Sequence, residues 1–510
     1  MLHNYRFIPE TMKYKTFRLT FLICILTAGS AAGQDGLYTF SLQGLGGYTT
    51  PDVVPFWLRA NQYGSIPLSG VSLSLTGSAR KEYDSGKGKL FDWGASFEGR
   101  ANLGQGSNVT LIEGYGKVRL GIFELRGGRS KKITGLCDTT LTSGSWAVSG
   151  TSLGVPEVEL SIKDFWILPW FDQFFAFKGN YTHGWLGEVP KDRPGETGIF
   201  YQRTYLHQKS LYGRLGKPAW AIKLYGGFNH QVLWGSEKEY YAGPYYNDDY
   251  LLTNLSTYFY VITGKRLTNG NIQQVRLGNH LGSIDLGFEY AFKGGRLLIY
   301  RQNLYESGSL IRLANIRDGL NGMSFTSMKK NHNTLHLKKI TIEFLYTKNQ
   351  AGEVWSPSTP SPYEGYYNHG QYYEGWSYNR VGLGTALIGT RSTLRNDLPA
   401  YPGEFFINNR LYAFHTGVIG QIKDIHFMVK TTVSKNFGTY TTTDEEQSTN
   451  IDNPGAYGIF GEQNQLSTYV EIKRRLHNGV NLGLIGALDY GTLLYNSMGI
   501  FLNFTYSFKK

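Results

Sequence analysis

Apolar and polar residues alternate along most of this chain. Phe91, Trp93, Ala95, Phe97, Gly99, Ala101 and Leu103 are interleaved with Asp92, Ser96, Glu98, Arg100 and Asn102. Trp220, Ile222, Leu224, Gly226 and Phe228 alternate with Lys223, Tyr225, Asn229 and Gln231, and Ile284, Leu286, Phe288, Tyr290 and Phe292 with Asp285, Glu289 and Lys293. Segments of the same period begin near Val71, Thr110, Glu157, Phe174, Tyr205, Arg296, Leu337, Leu411, Ile425, Thr468 and Val480. A period of two puts each set on its own face of a β-strand. The final segment is the most pronounced: Leu502, Phe504, Tyr506 and Phe508 share one face, and Asn503, Thr505 and Ser507 the other. The polar faces carry opposite charges, such as Glu98 and Arg100, as a lumen-facing wall would. At about 9–11 residues per tilted spanning strand, the pattern predicts an all-β chain, a transmembrane antiparallel β-barrel of about 18 strands.

Residues 1–33 read as an export signal, with Met12 as an alternative start. Lys13, Lys15 and Arg18 precede the apolar run from Phe21 to Leu26, and small residues follow up to Gly33. That run is too short to span a bilayer as a helix. Residues 34–70 are expected to form an N-terminal segment, and residues 71–508 the barrel. An aromatic-ended last strand also fits the signal that a barrel assembly machinery would engage.

Composition supports this picture. Tyr 37, Phe 29, Trp 10 and Gly 64 accompany a hydrophobic fraction of only 41%. A barrel needs apolar residues only at alternate positions, and Tyr and Trp suit its interfacial girdles. Cys137 alone remains after the signal, which excludes a disulfide-stapled secreted fold. The formal charge of +12 becomes +9 once the signal's four basic residues and one acidic residue are removed. A basic surface suits anionic glycans or lipopolysaccharide phosphates. Nucleic acid is excluded as a partner for an exported chain.

Loop lengths suggest a polarity. Short turns at Lys293–Gly295, Gly420–Asp424 and His477–Gly479 alternate with long segments at Asn303–Leu320, Asn349–Asn409 and Asn436–Ser467. Barrels keep short turns on the periplasmic side and long loops outside. This parity is lost around residues 35–70 and 234–281, so the direction of the first strand stays open.

No catalytic constellation stands out, and the chain is expected not to be an enzyme. His230 reads as an interfacial or packing residue. His332 and His336 are spaced for a helical metal site but sit in a turn-to-strand segment, so no metal is expected. No motif calls for a cofactor, and no plug domain precedes the barrel. The most distinctive segment lies within Asn349–Asn409. There Tyr366, Tyr367, Asn368, His369, Tyr372, Tyr373, Glu374, Trp376 and Arg380 combine aromatic faces with amide, carboxylate and guanidinium groups. That combination suits either a carbohydrate-binding platform or a lid packed onto the barrel mouth. A second cluster, Tyr240, Tyr241, Tyr245, Tyr246 and Tyr250 with Asp248 and Asp249, carries the same ambiguity.

Several short stretches, in order, resemble the capsule-assembly Wzi proteins of the Bacteroides group. They are Pro55-Phe56-Trp57-Leu58-Arg59-Ala60-Asn61-Gln62-Tyr63-Gly64, Leu125-Arg126-Gly127-Gly128-Arg129 and His230-Gln231-Val232-Leu233-Trp234-Gly235. Gly278-Asn279-His280-Leu281-Gly282, Arg317-Asp318-Gly319-Leu320-Asn321-Gly322, Tyr366-Tyr367-Asn368-His369, Gly375-Trp376-Ser377-Tyr378 and Asn408-Asn409-Arg410 follow. Phe56, Trp57, Asn61, Tyr63, Gly64, Asp318 and Gly319 are assigned a structural role in these motifs. The chain departs from the family in its residues before Met12 and in the Lys509-Lys510 tail. The resemblance implies an 18-stranded outer-membrane barrel with a short helix near its N-terminus and a mouth occluded by external loops. It also implies a surface lectin that holds capsular polysaccharide or exopolysaccharide at the cell surface. The alternatives are a porin or saccharide channel and a barrel hydrolase.

Overall fold

A computed structural model describes residues 37–510, apart from 51–52, 69, 85–88, 105, 192–199, 236–254, 268–274, 307, 330–333, 352–362, 445–454 and 477–478. The signal segment, the Tyr240–Tyr250 cluster and His332 therefore lie outside the described residues.

The period-two segments form one sheet of 18 strands. The first six are β1 (Tyr38–Thr50), β2 (Val71–Lys81), β3 (Phe91–Gly104), β4 (Asn108–Leu120), β5 (Phe123–Arg129) and β6 (Glu157–Ile167). Then come β7 (Phe175–Lys191), β8 (Phe200–Leu215), β9 (Ile222–Trp234), β10 (Asn279–Phe292), β11 (Gly295–Tyr305) and β12 (Gly319–Ser327). The last six are β13 (His336–Tyr346), β14 (Leu411–Ile422), β15 (Ile425–Asn436), β16 (Gln463–Arg475), β17 (Val480–Gly491) and β18 (Ser497–Lys509). Each strand runs antiparallel to the next, and β1 pairs with β18 from Thr39↔Lys509 to Thr50↔Met498. The sheet is thus a closed barrel without a free edge, the arrangement that lets strands cross a bilayer. One boundary differs from expectation: the segment 34–70, read as lying ahead of the barrel, contains its first strand. Gly44, Gly46 and Gly47 dilute the apolar alternation of β1 and hide it from pattern reading.

The two faces are inverted relative to a water-soluble protein. On β3, Phe91, Trp93, Phe97 and Leu103 are exposed on the outside, while Asp92, Ser96, Arg100 and Asn102 are buried toward the lumen. On β18, Leu502, Phe504 and Tyr506 point out and Asn503 points in. An apolar wall this extensive is stable only against lipid. No helix among the described residues is long and apolar enough to cross a membrane. Inside, the charges pair across strands: Glu98 and Arg100 both face the lumen but do not meet. Glu98 accepts from Lys131 Nζ at 2.6 Å, and Arg100 donates to Thr76 Oγ1 and Ser65 Oγ, each at 2.9 Å.

Because consecutive strands are antiparallel, their connections alternate between the two ends throughout. β1 runs from the short-turn end to the long-loop end, and both 51–70 and 235–278 lie at the loop end, so the polarity lost in the sequence is regular in the fold. A nine-residue helix in the second of these, Leu255–Thr263, lies on the outside of the wall, its Val261 packed with Val232 and Trp234. His230 sits beside its C-terminal end, at 2.8 Å from His280, and is a packing residue.

Candidate functional site

The long loop-end segments fold into the barrel and close it. The β5–β6 connection (130–156) reaches deepest. Leu136 N donates to Asp285 of β10 at 2.7 Å, and Ser143 N to Glu343 of β13 at 2.6 Å. Asp138 accepts from Ser324 of β12 at 2.7 Å and pairs with Lys339 of β13 at 3.0 Å, well toward the turn end. Three rings from the β13–β14 connection pack on this insertion, Tyr366, Tyr367 and Trp376, and Tyr372 joins the same buried core. Trp146 lies edge-on to Tyr366 at 4.7 Å and tilted against Tyr367 at 4.6 Å. Trp376 Nε1 donates to Ala147 O at 2.7 Å, and Tyr367 OH to Trp146 O. The close approach demands glycine at 384, where a Cβ would collide with the Tyr367 hydroxyl and the Trp146 carbonyl.

The resemblance motifs converge on this plug. Phe56 and Trp57 open the short helix Phe56–Arg59, which lies inside the lumen: Phe56 N donates to Asp489 Oδ2 at 2.7 Å and Trp57 Nε1 to Thr432 Oγ1 at 3.2 Å. Asn61, Tyr63 and Gly64 turn the chain with φ of 56°, 54° and 58°. Asn61 Nδ2 then donates to Thr142 O, and Tyr63 N to Gly150 O, which tie the helix to the β5–β6 insertion. Asp318 is fully buried and accepts from Tyr366 OH and Gln350 N, each at 2.7 Å, and from Asn349 N at 3.0 Å. Burial pushes its carboxyl up to about 7, against these hydrogen bonds. Asn409 Nδ2 donates to Tyr366 O at 2.7 Å. Gly319 lets the chain pass close to Gln302 O, 2.8 Å from where a Cβ would sit. Glu306, which accepts from Tyr367 N at 2.6 Å, is pushed well above the carboxylate range by burial, with Glu364 beside it.

This packing corrects the platform expectation. Tyr366, Tyr367, Tyr372 and Trp376 are at most 2% exposed, so no sugar reaches their faces. The lid reading of the same residues describes them. Asn368 is also structural, bridging to Phe406 through N at 3.0 Å and O at 2.8 Å. Of the expected residues, His369, Tyr373 and Arg380 remain at the surface.

The accessible surface is a rim around those three. Asn379 and Arg380 form a two-residue turn with φ of 52° and 63°, between Ser377–Tyr378 and Val381–Gly382. Its tip projects the Arg380 side chain, which is 69% exposed and 3.6 Å from Glu374. Burial raises the Glu374 carboxyl, with Arg380 opposing. Tyr373 stands beside Pro402, its hydroxyl only 3.5 Å from that carbonyl, a marginal hydrogen bond. Arg391 Nε donates to Glu404 O at 2.9 Å and its Nη2 to Tyr401 O. Further along, Arg395 holds Asp397 through two contacts of 2.9 and 2.6 Å and lies 5.7 Å from the Tyr495 ring. The rim thus offers Tyr373, Tyr401 and Tyr495 among guanidinium and carboxylate groups. Tyr401, Arg391, Arg395, Asp397 and Tyr495 were not singled out from the sequence. Arg395-Asn396-Asp397 followed by Pro399, Pro402 and Gly403 was the available signal, because such turn chemistry marks a surface loop.

No family profile and no curated protein matches this chain. Solved structures do. Wzi, an outer-membrane protein involved in group 1 capsule assembly in Escherichia coli and described as a carbohydrate-binding β-barrel, aligns over 98% of this chain and 90% of its own. Identity is 13% and the TM-score 0.52, so the two share a fold. OccAB2 of Acinetobacter baumannii covers 93% of this chain and 100% of its own at 12% identity and a TM-score of 0.43. OprD of Pseudomonas aeruginosa covers 94% and 96% at 11% identity and a TM-score of 0.43. With its closed 18-stranded wall and apolar exterior, this chain is a bacterial outer-membrane barrel.

Proposed function

We propose that this barrel holds a capsular polysaccharide or exopolysaccharide at the cell surface and is not an enzyme. One observation carries the reading: the loop end is closed by a hydrogen-bonded aromatic plug that leaves Arg380 exposed beside Glu374, with Tyr373, Tyr401 and Arg395 half-buried at the same surface. Sugars stack CH faces on aromatic rings and give hydroxyls to carboxylate and guanidinium groups, and the rim offers both. Carbohydrate binding by the Wzi barrel of E. coli fits the same architecture. The outer wall would meet lipid and lipopolysaccharide, and the β18 aromatics would engage the barrel assembly machinery.

The test is a binding titration of the detergent-purified barrel with surface polysaccharide from the same strain. Tyr373→Ala combined with Arg380→Ala should weaken binding about tenfold, at roughly 0.5–1 kcal/mol per aromatic or exposed ionic contact. Undiminished binding in the double variant would move the site off this rim. Steady ion conductance in planar bilayers would instead support a channel.

A further inference from the structure

Most lumen cations are matched by carboxylates. Lys132 contacts Glu157 at 2.9 Å and Glu159 at 2.6 Å, Arg126 contacts Glu159 at 2.6 Å, and Arg80 contacts Glu113 at 2.7 Å. Two cations near the turn end of β7 and β8 break that rule. Lys178 Nζ lies 5.1 Å from the centre of the Phe165 ring, and the Arg214 guanidinium carbon 5.6 Å from the same ring. Neither has an ion pair or hydrogen bond among the described residues. Arg214 Nε and Nη2 are shielded from solvent without an acceptor. Both side chains face the lumen, since Asn180 and Thr182, in step with Lys178, reach Glu159, and Tyr212, in step with Arg214, reaches Asp285.

The nearby carboxylates do not neutralise them. Glu289 is already engaged by Lys223 at 3.3 Å, Tyr225 OH at 3.1 Å and Arg296 at 3.7 Å. Asp164, exposed next to Phe165, acts on Lys178 only through space. Overhead the plug closes the site, because Asp285 accepts from both Tyr212 OH at 2.9 Å and Leu136 N at 2.7 Å. Below, toward the turn end, the Arg296 side chain is 55% exposed. Access is therefore from the periplasmic side.

A ring can hold two cations in place through its quadrupole without cancelling their charge. The result is a positively charged stretch of lumen wall, enclosed by the barrel, where the field of the two cations is not cancelled. Its donors lack acceptors, which an oxyanion would supply, two-pronged to Arg214 and point-like to Lys178. We infer that Lys178 and Arg214, held by Phe165 beneath the plug, bind a carboxylate or phosphate group of a ligand entering from the periplasm. This site is independent of the outer rim.

The experiment is calorimetric titration at low salt of wild-type barrel and the Lys178→Gln and Arg214→Gln variants. The probes are trigalacturonate, inorganic phosphate and neutral maltotriose. Wild type should bind at least one anionic probe, and each variant should bind it at least tenfold more weakly, with maltotriose indifferent to both substitutions. Preference for trigalacturonate identifies a carboxylate-bearing sugar, and preference for phosphate a phosphate-bearing ligand. Should a glutamine variant not reach the folded, heat-modifiable barrel, Lys178→Glu gives Arg214 an internal carboxylate and must abolish anion binding. Failure of wild type to bind either anion, or unchanged binding in the variants, overturns the proposal.

Discussion

Two sets of residues from one loop, nearly indistinguishable in composition, have opposite fates. Tyr366, Tyr367, Tyr372 and Trp376 lie inside the plug, and Tyr366, Tyr367 and Trp376 give their polar atoms to the insertion between β5 and β6 and to β12's leading turn. Tyr373, Glu374 and Arg380, interleaved with them, stand at the surface. The difference is not chemical type but burial. Tyr372 and Tyr373 are adjacent but differ in burial: Tyr372 lies within the core, its ring 5.4 Å from His369, while Tyr373 packs against that core from its edge and reaches Pro402. An aromatic-rich loop is therefore no evidence of a ligand platform until its rings are sorted by burial.

The sharpest way to break the distinction is Trp376→Ala. Removing a fully buried indole costs about 3–5 kcal/mol, and here it also orphans the Ala147 carbonyl. The plug should loosen while the lipid-facing wall persists. Limited proteolysis of the β13–β14 connection should rise strongly, with heat-modifiable migration unchanged. A plug as resistant as wild type would mean that these rings are not what closes the barrel.

Next in size is the pH dependence of the same plug. Asp318 is pushed up to about 7 from an unfolded value of about 4, so the folded plug binds a proton that the opened loop releases. Its contribution is full below about 4, declines as pH rises, and is gone above about 7, a span of up to about 4 kcal/mol by linkage. Protection factors at Gln350 and Tyr366, with the intrinsic rise of amide exchange with pH divided out, should fall from pH 5 to pH 8. In Asp318→Asn that slope should vanish; an unaltered slope would assign the effect to another group, Glu306 first.

A smaller effect is expected at the closing seam. Phe508 stacks on Phe40 at 5.0 Å across the β1–β18 joint. Phe508→Asp places a charge at the membrane interface, at up to about 1 kcal/mol, and should lower the amount of assembled barrel at the surface. Normal surface levels would separate the seam from assembly.

The smallest effect on stability, and the most specific on function, belongs to the rim. Arg380→Ala should leave melting within about 0.5 kcal/mol of wild type, as exposed substitutions do, and Tyr373→Ala, half-buried against the plug, should cost about 1 kcal/mol, while polysaccharide is shed from intact cells into the medium. Retention of the surface layer by the double variant would leave the rim without the proposed role.

What the sequence by itself determined is whatever depends on neighbours along the chain. A two-residue period is local, so strands and their two faces were legible from segments such as Phe91–Leu103 and Leu502–Phe508, and the barrel class followed once the repeats, the export signal and the composition were added. Strand β1 escaped because glycine carries no side chain to show a face. The motif residues Asp318 and Trp57 were expected to be structural only through the resemblance, and their partners could not be named: Tyr366 and Thr432 lie 48 and 375 positions away. The pairing of Glu98 with Lys131, the burial of Tyr366 beside an exposed Arg380, and the unmatched Lys178 and Arg214 all depend on which strands and loops share the lumen. Alternation says only that a side chain points inward. Closure of the barrel and insertion of the 130–156 segment decide what it meets there, and hence whether a polar group is satisfied, buried or left ready for a ligand.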